Sequence, residues 1–444
     1  MSIYRYLSTT AKSTSKIFQA PTFSEVVKQF SKFSSHNELI EYSQRPIEYC
    51  YANRMIETCS STHATPLCLV KSAEDLHNQL LVRIAHCISY FQSLPFLPAA
   101  NPTLLSLHDR YLKLFESLAN FQAIRTDQDE EKFFNFVNMF MLQNNDIIGQ
   151  LSIGCREAQK NFKSYKIMKE FLDNVLQSRL SMRLLSDHYL ELHKQLRNNI
   201  SNKSWCGAIC LDFLPAKIVQ QCLDDVSSIC FDTYSVVPHV KIENFMTKPI
   251  PYFPYVVEYI LRELLKNSMR AVVEYNKALL GNMQNVKRYF EERRDDALCK
   301  VLITSDPDDE HFTIAIQDEG GGIGETNETL FRYMFTGDVK KEEEEEETDV
   351  IADFQERIIQ SNKQMYGHGI GLPICRLYAE FFGGSLTLRQ ANKQMYGHGI
   401  GLPICRLYAE FFGGSLTLRQ ASRVGVDVYL RLGFIHTNSK RIKI

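Results

Sequence analysis

Apolar residues recur at helical spacing between about residues 36 and 200. Stripes of this kind run from Leu81 to Phe91, from Pro102 to Phe121, from Phe133 to Ile147 and from Met168 to Leu184. Because residues three and four positions apart share one face of a helix, each stripe predicts an amphipathic helix. Four such helices with short connections predict an antiparallel four-helix bundle.

Strand-like runs alternate with helices after about residue 202. Ala208–Phe213 and Val240–Ile242 are short apolar runs, and Pro254–Tyr275 has the pattern of a long helix. Val301–Ile303 and Phe312–Ile316 flank a turn, which predicts an antiparallel hairpin. The chain is therefore predicted to be an α+β protein, with a helical bundle followed by an α/β sandwich.

Composition and charge narrow the classes of function. A hydrophobic content of 44% suits a folded core, and 50 basic against 52 acidic residues leave a net charge of −2. A net charge this close to zero gives no overall positive field that would attract nucleic acid. No apolar run reaches the roughly 20 residues that cross a membrane. Twelve cysteines without a CxxC pair predict reduced thiols. We therefore expect neither a nucleic-acid partner nor a membrane partner.

The first residues have the composition of a targeting sequence. Residues 1–24 contain three basic residues and nine Ser or Thr residues, and Glu25 is the first acidic residue. A cationic, hydroxyl-rich segment is typical of a mitochondrial transit peptide, which we assign to residues 1–30, with cleavage between residues 16 and 35. A disordered amino-terminal tail is the alternative interpretation.

Glu263, Asn267 and Arg270 are spaced to share one face of the predicted helix over Pro254–Tyr275. An asparagine supplies a neutral oxygen ligand for Mg²⁺, an arginine binds phosphate oxygens, and a glutamate can accept a proton. This face therefore suits a metal–phosphate site. A solvated helix face explains the same spacing, and the residues alone leave both interpretations open.

Two glycine-rich segments follow that helix. Asp318 ends a predicted strand and precedes a turn that contains Gly320 and Gly322, where the backbone can approach a ligand closely. Gly-His-Gly-Ile-Gly-Leu-Pro occurs at residues 367–373 and again at 397–403, each time before a predicted helix. Free N–H groups at such a helix start can bind an anion. A dinucleotide fold would need a preceding strand and a P-loop would need a lysine, so neither motif is matched.

Residues 362–391 (copy one) are repeated without change as residues 392–421 (copy two). Structural repeats diverge between units, so an identical pair indicates a recent duplication or a sequence-assembly artefact rather than a solenoid. One nucleotide site needs one copy. Copy two runs directly into the last predicted hairpin, and we therefore favour copy two as the one in the site. Copy one would then lengthen the preceding connection, which costs little.

In this order, the three segments resemble the N, G1 and G2 boxes of the GHKL ATP-binding fold. Histidine kinases, heat-shock chaperone ATPases and the mitochondrial 2-oxoacid dehydrogenase kinases share that fold. The chain end around Val426–Leu432 is most similar to the branched-chain kinases, because the carboxyl-terminal Asp-Trp of the pyruvate dehydrogenase kinases is absent and Trp205 is the single tryptophan. Four further segments are similar to the amino-terminal bundle of the mitochondrial kinases: Val82–His86, Leu94–Phe96, Asn101–Thr103 and Ser178–Arg183.

The resemblance implies a role for each site residue. Glu263 would be the general base that orients and deprotonates a serine hydroxyl, Asn267 would bind Mg²⁺, and Asp318 would accept a hydrogen bond from the adenine amino group of ATP. His188 matches a family histidine that could couple the two domains, and a purely structural role fits it equally well. The other nucleotide-binding residues would be Arg270, Gly320, Gly322 and Thr336, with Gly397, Gly399, Gly401 and Leu402 of copy two or Gly367, Gly369, Gly371 and Leu372 of copy one.

The resemblance also implies a domain organisation. After the transit peptide, residues 31–202 would form a four-helix-bundle regulatory domain and residues 203–444 a GHKL kinase domain. Residues 325–362 would be a lid over the nucleotide. The lid contains Glu342–Glu347, a run of like charges that is typical of a solvated segment.

The function implied is that of a mitochondrial matrix serine kinase. It would use Mg-ATP, and K⁺ as a second cation, to phosphorylate and inactivate E1α of the branched-chain 2-oxoacid dehydrogenase complex. It would dock on the lipoyl-bearing E2 core and form a homodimer. The alternatives are the same chemistry on the pyruvate dehydrogenase complex and a non-catalytic E2-binding regulator whose duplicated G2 box disables ATP binding. A chaperone-like ATPase is disfavoured because it has no place for the bundle.

Overall fold

The computed structural model describes residues 37–48, 55–56, 66–198, 204–293, 297–305, 311–322, 331–333, 371–391 and 425–434. The predicted transit peptide, the glutamate run, the boundary at residues 202 and 203, and copy two lie outside the described residues. The assignments made for those segments stay predictions.

The amino-terminal half of the described chain is helical. Helix α2 packs on α1, α4, α5 and α7, and α4 also packs on α6. The predicted stripe from Leu81 to Phe91 lies in α2, and its apolar side chains are buried. These helices therefore each bury one apolar face against the others. Their bounds are α1 (Asn37–Gln44), α2 (Pro66–Gln92), α3 (Phe96–Ala99), α4 (Pro102–Ala119), α5 (Asp127–Gln143), α6 (Ile147–Glu157) and α7 (Tyr165–Arg197).

The predicted stripe from Phe133 to Ile147 is divided between two helices. Helix α5 ends at Gln143, and α6 begins at Ile147. The side-chain amide of Asn144 donates to the Phe140 carbonyl oxygen at 2.7 Å. That bond satisfies an acceptor at the end of α5, so the helix can stop there without an unpaired buried carbonyl. The prediction of one continuous helix over this stripe was wrong for this reason.

The carboxyl-terminal half alternates strands and helices. The larger sheet has the strand order β3-β5-β6-β8-β7, with β3 parallel to β5 and the other neighbours antiparallel. Strands β1, β2 and β4 form a separate antiparallel sheet. The fold is α+β, as predicted. The elements are β1 (Trp205–Cys206), β2 (Ile209–Phe213), α8 (Pro215–Tyr234), β3 (Val240–Asn244), β4 (Ile250–Tyr252), α9 (Pro254–Leu280), α10 (Met283–Glu292), β5 (Cys299–Ser305), β6 (His311–Asp318), α11 (Gly371–Phe381), β7 (Ser385–Ala391) and β8 (Gly425–Gly433).

The predicted hairpin is formed by β5 and β6, with Ile303 opposite Ile314. Both side chains are fully buried, and α9 contacts both strands. Helix α9 has Pro254 in its first turn and ends at Gly281, whose φ of 80° is the left-handed conformation that glycine adopts at helix ends. Helix α9 also packs on α8 and α11. The helix that carries the first motif thus contacts the elements that carry the other two.

Copy one, rather than copy two, supplies α11 and β7. Ile374, Cys375 and Phe382 of copy one are fully buried, and β7 pairs with β8 along its length. Residues 392–424 therefore connect two paired strands. A connection of roughly thirty residues costs only about 2 kcal/mol more to close than one of three residues. The expectation that copy two folds into the site was wrong, because it relied on a short hairpin connection that the energetics do not require.

Most described cysteines are free thiols. Eight of them are unpaired, and seven of those eight are buried. Cys206, at the end of β1, is instead disulfide-bonded. The prediction of reduced thiols is therefore confirmed for eight described cysteines and wrong for Cys206. Among the described helices, none combines the length and apolar content that a membrane crossing requires.

Candidate functional site

Glu263 lies in the middle of α9, half-buried and close to the start of α11. Its Oε1 forms an ion pair with the Lys266 ammonium at 2.5 Å. Its Oε2 faces Gly371, where an added Cβ would lie 2.3 Å away. The absence of a side chain at Gly371 therefore lets copy one approach the carboxylate closely. One oxygen of Glu263 is held by a cation, and the other lies against the glycine-rich segment.

Asn267 lies one helical turn after Glu263 and is exposed. One further turn along α9, Ala271 contacts the first glycine-rich segment, because a Cβ on Gly320 would lie 2.6 Å from the Ala271 Cβ. Residues spaced by four share one face of a helix. The Asn267 amide therefore lies between the points where α9 meets the two glycine-rich segments. It is open to a ligand there, and its oxygen is of the kind that Mg²⁺ prefers.

Asp318 ends β6 and is buried beside α9. Its Oδ1 accepts the backbone N–H groups of Gly320 at 3.0 Å and Val426 at 3.2 Å. Burial raises the pKa of Asp318 to about 6, although these two N–H groups and the Ser268 hydroxyl act in the opposite direction. The carboxylate is thus fixed in orientation by three donors, and it is ionised at neutral pH.

The glycines after Asp318 are required by the close approach of α9. Gly321 and Gly322 have φ values of 82° and 83°, which side-chain-bearing residues rarely adopt. A Cβ on Gly321 would also lie 2.2 Å from the Tyr275 ring. The turn can therefore pack directly against α9 only because glycines occupy these positions.

In the structure, the Arg270 side chain is engaged by Glu274 and is not directed to a phosphate site. Its Nε donates to Glu274 Oε1 at 2.9 Å, and the same oxygen accepts the Tyr234 hydroxyl at 2.9 Å. Arg270 shares the predicted face with Glu263, but its guanidinium is neutralised by an intrahelical ion pair. Its assignment to phosphate stays a prediction.

The other predicted nucleotide ligands are only partly described. Gly371 begins α11, and Leu372 is half-buried against the core. Gly367 and Gly369 of copy one, Gly397, Gly399, Gly401 and Leu402 of copy two, and Thr336 lie outside the described residues.

His188 links the two halves of the chain as a structural histidine. It is buried in α7, and its Nδ1 accepts the backbone N–H of Ala208 at 3.4 Å. Burial lowers the pKa of His188 to about 4, so the ring is neutral and can accept this bond at physiological pH. Gln195, also in α7, bonds both backbone groups of Gly207. Both contacts hold the turn between β1 and β2 against α7.

Sequence reasoning missed Lys266, Ser268 and Val426 as parts of the site. The spacing of Glu263 and Lys266 was a usable signal, because opposite charges three residues apart pair on a helix. Ser268 lies in the same motif and could have been considered as a donor to a buried carboxylate. Nothing in the sequence pattern indicates Val426, because it contributes a backbone N–H from a strand far along the chain.

Two family models match separate parts of the chain. Residues 52–210 match the family model described as mitochondrial branched-chain alpha-ketoacid dehydrogenase kinase. Residues 256–395 match the model of the histidine kinase-, DNA gyrase B- and HSP90-like ATPases. The second match contains Glu263, Asn267, Asp318 and the glycine-rich segment of copy one.

The chain is also similar to curated mitochondrial kinases. It is 29% identical to the pyruvate dehydrogenase (acetyl-transferring) kinase of Arabidopsis thaliana over 72% of this chain and 81% of that protein. It is 26% identical to kinase 1 of Saccharomyces cerevisiae, over 70% of this chain and 73% of that protein. Isozyme 3 of Homo sapiens is 26% identical over the same shares.

Proposed function

We propose that this chain is a protein-serine kinase of the family that contains the mitochondrial pyruvate and branched-chain 2-oxoacid dehydrogenase kinases. One observation carries the proposal. A single face of α9 bears Glu263 and Asn267 between two glycine-rich segments, and the buried carboxylate of Asp318 lies beside the same helix. The similarity of both halves to models of this kinase family and of GHKL ATPases supports it.

The residues fit Mg-ATP as a substrate. The Asp318 carboxylate is fixed by three donors, so it can accept the adenine amino group without reorganisation. Gly320 lets the turn after Asp318 pack directly against Ala271 of α9, which holds the Asp318 carboxylate close to the face that bears Asn267. The exposed amide oxygen of Asn267 suits Mg²⁺. When bound, Mg²⁺ neutralises charge on the phosphate oxygens during transfer.

Glu263 orients the acceptor serine and takes its proton. Lys266 holds Oε1, which fixes the carboxylate and directs Oε2 toward the side of Gly371. General-base assistance of this kind contributes typically 10²–10⁴-fold to a rate. The remainder of the acceleration comes from the positions of the bound groups.

We propose further that the substrate is E1α of the branched-chain 2-oxoacid dehydrogenase complex in the mitochondrial matrix. The match of residues 52–210 to a branched-chain kinase model supports this choice. In the same proposal, the amino-terminal helices form a four-helix regulatory bundle that docks on the lipoyl-bearing E2, K⁺ assists nucleotide binding, and the kinase domains form a homodimer.

Pyruvate dehydrogenase E1α is the second candidate substrate. The curated relatives named above are pyruvate dehydrogenase kinases, and this similarity favours it. The two candidates differ in the protein partner alone, because the chemistry at α9 is the same for both.

A side-by-side phosphorylation assay tests the proposal. The purified chain is given Mg-ATP and either E1 protein with its E2 core, and phosphate on E1α is measured. We expect faster transfer to the branched-chain E1α, and faster transfer to pyruvate E1α would select the second candidate.

The Glu263→Gln variant tests the mechanism in the same assay. We expect transfer to fall by about 10²–10⁴-fold because the base is removed, while Mg-ATP affinity is retained. Undiminished transfer would remove Glu263 from the mechanism. Absence of any magnesium-dependent ATP affinity in the unmodified chain would instead indicate a non-catalytic regulator.

A further inference from the structure

Lys266 is a charged side chain that the candidate site encloses almost completely. It lies about one helical turn after Glu263 on α9 and is only 7% exposed. Its ammonium lies 2.5 Å from Glu263 Oε1. Moving a charge out of water is costly unless the charge is paired and hydrogen-bonded. A lysine at this position therefore needs acceptors inside the site.

The Glu263 carboxylate meets only part of this need. An ammonium carries three N–H donors and no acceptor. Within the part of the chain that the structure describes, Glu263 is the one hydrogen-bonding or ionic partner of Lys266. The bond to Oε1 uses one donor. The other donors of this buried ammonium can therefore bind a further oxygen acceptor.

Both charges of the pair face α11. Glu263 Oε2 lies against Gly371, the first residue of that helix. Burial raises the pKa of the Cys375 thiol on the same helix, with the Glu263 carboxylate acting in the same direction and the Lys266 ammonium in the opposite one. Backbone N–H groups at the start of a helix attract anions. Lys266 and α11 therefore favour a negatively charged ligand group at the same point.

The neighbours of Lys266 indicate which anion this is. Asn267, the proposed Mg²⁺ ligand, follows it directly, and Glu263, the proposed base, is bonded to it. During transfer, the phosphoryl group that leaves ATP has to lie next to the base that holds the acceptor serine. A carboxylate and a phosphoryl group repel each other at this distance, and an ammonium between them reduces the repulsion.

We propose that Lys266 is a further catalytic residue whose ammonium bridges Glu263 Oε1 and an oxygen of the transferred phosphoryl group. This inference rests on the proposed function. In the step, the serine oxygen forms a bond to phosphorus while the bond from phosphorus to the ADP oxygen breaks, and ADP leaves with the electron pair. Glu263 takes the serine proton, and Lys266 keeps its own protons. Its positive charge stabilises the charge on the phosphoryl oxygens.

The affinities of the full chain for Mg-ATP and Mg-ADP, measured by calorimetry, test the proposal without the reaction itself. ADP lacks the phosphoryl group that Lys266 would contact. We expect Lys266→Met to lower the affinity for Mg-ATP by about tenfold or more, as for a bond to a charged group, and that for Mg-ADP by less than about twofold. In the phosphorylation assay, kcat should fall by about 10²-fold. Equal losses of both affinities would indicate a merely structural lysine and would overturn the proposal.

Lys277→Met is the matched control for loss of a lysine charge from α9. Lys277 lies in the last turn of the same helix and is exposed. We expect both affinities and kcat to stay within about twofold of the unmodified chain. A loss of Mg-ATP affinity equal to that of Lys266→Met would show that only the overall charge matters, and it would overturn the specific role of Lys266.

A second comparison keeps the test decisive if Lys266→Met folds poorly. Removing Lys266 alone leaves the Glu263 carboxylate without its cation, which is destabilising. Glu263→Gln retains the ammonium, and the double variant Glu263→Gln with Lys266→Met has neither charge. We expect Glu263→Gln to keep the preference of the unmodified chain for Mg-ATP over Mg-ADP and the double variant to lose about tenfold of it. The same preference in both variants would overturn the role of Lys266.

The outcomes separate this inference from the proposed function. An unmodified chain that transfers phosphate, with a preference for Mg-ATP that neither Lys266 variant alters, would overturn the role of Lys266 alone. An unmodified chain without magnesium-dependent ATP affinity would overturn the proposed function itself.

Discussion

At the scale of single residues, burial of the ionised Asp318 carboxylate lowers the free energy of unfolding. Its pKa is about 6 in the folded chain against an ordinary 3.8, chiefly because it is buried. A raised carboxyl pKa means that the folded state binds the proton more tightly than the unfolded state. The stabilising contribution is therefore fully present below pH 3.8 and is lost as pH rises through 6. Ionised Asp318 destabilises the free protein at neutral pH, and the proposed contact with adenine would recover part of that cost.

The Asp318→Asn variant should separate stability from binding. We expect its free energy of unfolding to exceed that of the unmodified chain by about 3 kcal/mol at pH 8 and by about half as much at pH 5. Urea denaturation at the two pH values measures this. The amide can keep an oxygen toward Gly320 and Val426 but lacks the ionised acceptor, so Mg-ATP affinity should fall. Asp232→Asn, at an exposed position of α8, is the control and should change neither quantity. An increase in the free energy of unfolding that is equal at both pH values would contradict the raised pKa of Asp318 as its cause.

At the residue scale, the sequence could predict which side chains lie near each other within one short segment, and the chemical roles assigned to them stay predictions. Helical spacing alone places Glu263 and Asn267 on one face, and the resemblance supplied the roles assigned to them. Asp318 could be chosen because a glycine turn follows it directly. Arg270 satisfied the same spacing, yet the structure pairs it with Glu274, because an ion pair four residues away competes for the guanidinium. The Val426 N–H could not be predicted, since it depends on how β8 pairs with β6.

At the scale of elements, the two identical copies differ only in the lengths of the chain segments that connect them to the rest of the fold. Copy one occupies the position of α11 and β7, where Ile374 is fully buried and Gly384 lies against the Arg431 carbonyl. Copy two offers the same side chains. Only connection lengths distinguish the two arrangements, and those change the free energy slowly.

Paired substitutions test which copy is folded into the core. Ile374→Asp places a charge at a fully buried position and should cost more than about 4 kcal/mol if copy one is held in the core and copy two does not replace it. Ile404→Asp makes the same change in copy two and should leave thermal stability nearly unaltered. Thermal unfolding of both variants measures the difference. Equal tolerance of both substitutions would indicate that the copies exchange places.

Periodicity predicted the elements better than their ends. The helices α2, α4 and α7 and the hairpin of β5 and β6 follow the sequence pattern closely, because each buries one continuous apolar face. The break between α5 and α6 was missed, since Ile147 continues the stripe and the Asn144 side-chain bond where α5 ends leaves no mark in the apolar pattern. The choice between the copies could not follow from pattern at all, because their residues are identical.

At the scale of the whole molecule, the duplication should be dispensable. Deleting residues 362–391 or 392–421 produces the same shortened chain, which keeps one complete set of site residues. We expect it to fold and bind Mg-ATP, with a free energy of unfolding equal to or up to about 2 kcal/mol above that of the full chain, because β7 and β8 are then joined by a short connection. Urea denaturation measures this, and a marked loss of stability would show that copy two contributes to the fold. Peptide mapping for a junction peptide across residues 388–393 establishes that the native protein carries both copies.

The position of β8 inside the sheet has a consequence for how the protein is made. Strand β8 lies between β6 and β7, and its Val426 N–H binds the Asp318 carboxylate. All three boxes leave the ribosome before this strand does. The Asp318 carboxylate therefore cannot receive its full set of donors until translation has passed residue 426. A message truncated after copy one would encode every motif, yet its product would lack the strand that pairs with both β6 and β7.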